Sequence, residues 1–223
     1  MQLRGNPQLN PGRLHSKFAE VKFKMVSTKH FDTRKLVLLA ILTAIVIALQ
    51  LLGAFIRFGT FSISLVLMPI AIGAALLGVL AGAWLGLIFG VVVLVSGDAG
   101  VFLAIDPAAT VFVVLLKGAL AGLAAGFSYK LLEGFSKILA AVVAAIVCPV
   151  VNTGIFIAGC YIFFLPTLAG WAETANAVNV TAFIFLGIVG VNFLLELGAN
   201  IVLSPTIVRL IQYRNDTKQT NDD

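Results

Sequence analysis

The run VFVVLLKGALAGLAAG, residues 111–126, holds one lysine, Lys117, among residues that are otherwise apolar or glycine. A cation in such a segment costs about 2.5–3.5 kcal/mol on membrane-insertion scales, so it must face a cavity or a partner. Two asparagines lie in equally apolar surroundings, Asn152 in PVVNTGIF and Asn192 in VNFLLELGAN. An ammonium supplies charge, and each amide supplies donors and an acceptor with defined directions. Such a set suits an anionic or carbonyl-rich small molecule. Pro149, just ahead of Asn152, removes a backbone donor and loosens the helix beside the amide.

Asn192, Glu196 and Asn200 recur every four residues and so share one helix face. Glu196 offers Lys117 a counter-ion, which leaves the lysine two roles: a structural ion pair with Glu196, and a contact to ligand. Asn152 is open in the same way, between ligand contact and a hydrogen bond between helices. Three more residues are candidates for binding substrate. Arg57 in RFGTFSIS would attract an anion or simply be solvated. Asp98 in SGDAG, like Asp106 in IDP, has a turn or helix cap as its simplest role. Trp171 is an interface anchor or a lid.

Other chemistries find no residues. The two histidines, His15 and His30, both precede the apolar segments, so no metal site is expected. No GxxxxGK[ST] run for binding ATP occurs, and no serine has a base beside it within the helices apart from Lys117 and Glu196. Catalytic residues, cofactors and nucleic-acid partners are therefore not expected. Cys148 and Cys160, twelve residues apart on one helix and about 18 Å along it, cannot pair and read as packed thiols.

The elements that position these residues follow from composition. Of 223 residues, 60% are hydrophobic and 11% charged, with a mean hydropathy of +1.07; average soluble domains are roughly 45–50% apolar and ~25% charged. The fold class is therefore an all-α integral membrane protein. A spanning helix takes about 20 apolar residues, so the chain has room for about six transmembrane helices. They are placed at 36–56, 65–77, 83–95, 107–130, 138–164 and 182–211, with a turn at 78–82, a long loop at 166–181 and a break near Pro205. The second and third are short, which calls for tilt, a kink or shelter by protein.

Residues 1–35 read as an uncleaved basic cytoplasmic tail, 36–211 as the six-helix membrane domain and 212–223 as a second cytoplasmic tail. Eight Lys or Arg precede the first helix, two lie between the fourth and fifth, and three lie at the C-terminal end. The positive-inside rule then puts both termini in the cytoplasm and segments 57–64, 96–109 and 166–181 outside. Basic tails of this kind favour anionic membrane lipid.

Orientation gives depth. Lys117 is ten residues past Pro107, Asn152 twelve before Phe164, and Asn192 eleven after Thr181. At 1.5 Å per residue all three lie about 15–18 Å below the outer surface. Small residues supply a further pattern. Ala40, Ala44 and Ala48 line one face of the first helix, and Gly118, Gly122 and Gly126 one face of the fourth. Such ridges admit a close-packed helix, from this chain or from a partner.

With AILTA followed by IVIALQ in the first helix, LLKGALAGLAAG in the fourth and CPVVNTGIF in the fifth, residues 35–211 resemble the S components of energy-coupling-factor (ECF) vitamin transporters. The resemblance implies a multi-pass protein of a bacterial cell membrane that captures a vitamin from outside. It also implies partners: a transmembrane coupling protein (EcfT) and two ATPases (EcfA and EcfA'). Ala40 and Ala44, extended by Ala48, match the AxxxA surface that meets the coupling protein. The stretch SGDAGVFLAIDPAATVFVVLLKGALAG is most similar to pantothenate-type members, with cobalamin, pyridoxine, riboflavin and folate types as alternatives. A self-sufficient secondary transporter would need more helices or visible inverted repeats.

Overall fold

The computed structural model describes residues 33–55, 57–58, 61–62 and 65–219; side chains at 55–64, 191, 206–208 and 210–223 lie outside the description. The chain divides at Val37, and Leu38–Asp223 forms the unit that carries everything below.

The described residues are overwhelmingly helical. In chain order they form α1 (Thr33–Phe55), a minimal hairpin of β1 (Arg57–Phe58) and β2 (Phe61–Ser62), α2 (Leu67–Leu77), α3 (Val79–Val95), the single turn α4 (Gly100–Leu103), α5 (Pro107–Leu132) and α6 (Lys137–Gly159). A π-helical turn, Cys160–Phe164, runs directly into α7 (Leu165–Thr174). The short α8 (Val180–Ala182) and a second π-helical segment, Phe183–Gly190, precede α9 (Val191–Gln219). Helices α1, α5 and the continuous stretch Lys137–Thr174 are each long and apolar enough to cross a membrane. Val180–Gly190 and Asn192–Pro205 make a fourth span if the 42° bend between them is counted within one crossing.

Three boundaries differ from expectation. The turn between the second and third helices is not five residues but one, Gly78, at φ +101°, a conformation that a Cβ would strain. The loop at 166–181 is mostly helix α7, because Pro166 falls in its first turn, where a missing N–H costs nothing. The last helix bends between Gly190 and Asn192, and Pro205 stays inside α9.

The α2 helix has 11 residues, nearly all buried, and packs against α3, α5, α6 and α9. It is short because it sits inside the bundle, sheltered by protein. Next to it the glycine ridge of α5 meets a second ridge on α3. A Cβ on Gly82 or Gly122 would strike the other's carbonyl, Gly86 and Gly118 are matched in the same way, and Gly90 lies under the carbonyl of Val114. The register is antiparallel and constant, so the α5 ridge serves the chain's own interior. Main chains approach this closely only where no side chain intervenes.

Helix α1 packs with one stripe, Leu42, Val46 and Gln50, all buried. Its Ala40, Ala44 and Ala48 are exposed. Cys148 and Cys160 are buried and unpaired, and the Cys148 thiol lies 3.7 Å from the Leu67 carbonyl.

Gly86→Ala and Gly118→Ala should each cost at least about 2 kcal/mol of stability, since the backbone facing them cannot yield. Gly154→Ala, where an added Cβ meets nothing within 4 Å, should be neutral or up to about 1 kcal/mol stabilising. Thermal unfolding of the purified protein in one detergent reads the difference.

Candidate functional site

The bundle encloses a cavity of about 630 Å³. Five elements place the residues of interest on its wall. Helix α5 contributes Lys117, α6 contributes Asn152, α9 contributes Asn192 and Glu196, α7 contributes Trp171, and the turn after α3 contributes Asp98. Three polar groups marked by equal depth along three helices therefore face one space. Lys117 directly precedes Gly118, which lies against α3. Arg57 lies in β1, and its side chain is outside the described residues.

The charged groups are not arranged as an ion pair. Lys117 Nζ lies over two aromatic rings, 5.8 Å from the centroid of Phe89 and 5.2 Å from that of Phe156, within the range of a cation–π attraction. Glu196 instead accepts a hydrogen bond at 3.2 Å from Asn192 Nδ2, one turn earlier on α9. No contact within 4.0 Å joins Lys117 to Glu196, so the expected direct pair is absent. The ammonium is met instead by two ring faces, and the carboxylate by an amide on its own helix. Both remain on the cavity wall.

The amides are incompletely satisfied. The side-chain oxygens of Asn152, Asn192 and Asn200 are buried without a hydrogen-bond partner. An orphaned buried acceptor costs roughly 1–3 kcal/mol. The side chain of Asn200 is otherwise used within α9, where its Nδ2 donates to the Glu196 carbonyl at 2.8 Å.

Several lining residues escaped sequence reasoning. Gln50 of α1 is buried and donates from Nε2 to Asp98 Oδ2 at 2.6 Å, so Asp98 is more than a turn residue. The only signal for it was one amide in the apolar run IALQLL. Asp106 keeps the simpler role, capping α5 through Ala109 N at 3.0 Å. At the end of the cavity near the start of α5, Phe102 meets Phe156 edge-on at 5.4 Å, Phe164 at 5.1 Å and Trp171 at 6.3 Å. The π-helical turn Cys160–Phe164 helps to build this aromatic end by letting α6 run on into α7. Turns of this kind recur at functional sites.

Lys117→Met tests the lysine's structural role in the empty protein. With no ion pair to break, the thermal midpoint should hold or rise, because an apolar side chain of similar length removes a confined charge. A fall of several degrees would mean that Lys117 holds the fold together.

Comparison with known proteins adds one finding. The family described as "ECF transporter, substrate-specific component" matches residues 34–208. No curated protein and no solved structure matches the chain.

Proposed function

The chain belongs to the ECF transporter substrate-specific component family, and from that premise we propose that its cavity captures pantothenate. Members of this family are transport subunits rather than enzymes, so the task of the site is to hold a molecule and release it. The observation that carries the reading is the cavity itself: about 630 Å³, lined by Lys117, Asn152 and Asn192, with aromatic rings at one end. That volume is ordinary for a small-molecule site. Pantothenate brings a carboxylate for Lys117 and an amide and hydroxyls for the asparagines. Asp98 and Trp171 complete the contacts, and Arg57 draws the anion toward the entrance.

The aromatic cluster around Phe102 favours a second reading in which a vitamin with a planar ring, such as pyridoxine, riboflavin or folate, occupies the same cavity. Cobalamin is the remaining alternative. In either reading both termini face the cytoplasm of a bacterium and the vitamin enters from outside. The exposed face of α1 bearing Ala40, Ala44 and Ala48 docks on the coupling protein EcfT, which the ATPases EcfA and EcfA' drive. Small residues exposed on the side of α1 opposite its buried stripe support that assignment.

Titration of the purified chain with pantothenate, pyridoxine, riboflavin, folate and cobalamin tests the reading. Pantothenate should bind below the micromolar range, and Lys117→Met should weaken it at least tenfold, about 1.4 kcal/mol. Binding of none of the five would contradict capture, and tight binding of another vitamin would replace pantothenate with that one. Ala44→Leu should abolish uptake by the whole transporter while leaving binding intact.

A further inference from the structure

Glu196 entered as a counter-ion for Lys117, and without that pair its carboxylate needs another explanation. It is only 4% exposed, it lies on α9 within the cavity wall, and it is one of two carboxylate residues there, with Asp98. Asn192 Nδ2 satisfies Oε1, and no donor among the described residues reaches Oε2. The same bond fixes the sense of the Asn192 amide. Its nitrogen must face the carboxylate, so its oxygen is the atom left without a partner. Glu196 Oε2 is thus an acceptor without a donor among the described residues, on the wall of a cavity that Asn152 and Asn192 also line.

An apolar ligand would leave Oε2 unpaired, and a ligand with acceptors alone would be repelled by it. Lys117, on the same wall, asks for the opposite chemistry.

We propose that Glu196 is a ligand-binding residue that accepts a hydrogen bond from a hydroxyl of the captured molecule, whose acceptor end is held by Lys117. The inference rests on the capture reading and narrows it: the ligand is two-ended, a carboxylate or carbonyl compound that also carries hydrogen-bond donors. A simple carboxylate of the same size is excluded by what it leaves unpaired. Sites built around a buried polar group reject analogues lacking the matching group far more strongly than apolar pockets reject a missing methylene.

Glu196→Gln tests the assignment with little risk to the fold. Its side-chain oxygen still accepts from Asn192, while its nitrogen presents a donor where Oε2 presented an acceptor. The probes are pantothenate and its analogue with both hydroxyls replaced by hydrogen, titrated against the full-length purified chain. In the wild type the analogue should bind at least tenfold more weakly than pantothenate. In Glu196→Gln pantothenate should weaken at least tenfold, and the gap between the two probes should close to within threefold. Glu196→Leu should give the same closing of the gap. If pantothenate proves not to be the ligand, the tightest binder of the five vitamins and its donor-deleted analogue take the same place. Binding by the variants within twofold of wild type with the gap intact would overturn the role of Glu196 and leave capture standing. No binding of any vitamin to the wild type would remove capture and this inference together.

Discussion

The approach of α3 to α5 through facing glycines is the constraint on which the cavity depends. In a bilayer the apolar surfaces of helices gain nothing by leaving water, so two helices are held by how closely their main chains can lie. Gly82, Gly86 and Gly90 remove the side chains from one surface, and Gly118 and Gly122 remove them from the other. The register this sets is fixed at both levels of the seam. Lys117 adjoins one of its glycines, and Phe89 follows Gly86 by three residues, so the same seam brings the ammonium over the Phe89 ring. A looser seam would move the lysine relative to the amides of α6 and α9.

Around that seam the protein keeps groups that a bundle built for stability alone would discard. The ammonium has two ring faces in place of a paired carboxylate, and two of the residues that line the cavity, Asn152 and Asn192, bury side-chain oxygens without donors. Each is a cost of order 1 kcal/mol or more that apolar residues of similar size would avoid. Such costs gather where a site is kept ready for a molecule that will satisfy them. The irregular helix geometry gathers there too: the π-helical turn at Cys160–Phe164 precedes Trp171, and the bend before Asn192 follows the second π-helical segment. Gln50 ties this wall to α1 through Asp98, so the helix with the exposed alanine face also touches the cavity.

Much of this was legible from residue types and helical rise. The membrane class, the existence and rough limits of α1, α5 and α6, and the convergence of Lys117, Asn152 and Asn192 needed only hydropathy and 1.5 Å per residue. What could not be read is what depends on a second helix. The α5 glycines showed a ridge but not its mate on α3. Phenylalanines that line the cavity, such as Phe102 and Phe156, have the same composition as those facing lipid. Gln50 was one amide in an apolar helix, with nothing in sequence to join it to Asp98. The segment LPTLAGWAET reads as loop from its proline and glycine, yet it is helical because the π-helical turn carries α6 into it. Charge alone left Glu196 open as a counter-ion for Lys117, and only geometry shows its hydrogen bond to Asn192.

The proposal that joins these contacts is capture of a small two-ended molecule in the cavity. Native mass spectrometry of the chain extracted gently from cells that express it, followed by identification of what dissociates, tests that claim without choosing a ligand in advance. One molecule should be bound per chain, carrying both a carboxylate or carbonyl and hydrogen-bond donors, and it should be absent from a variant with Lys117→Met and Glu196→Gln combined. A chain that carries only lipid, with the same spectrum in wild type and variant, would contradict it.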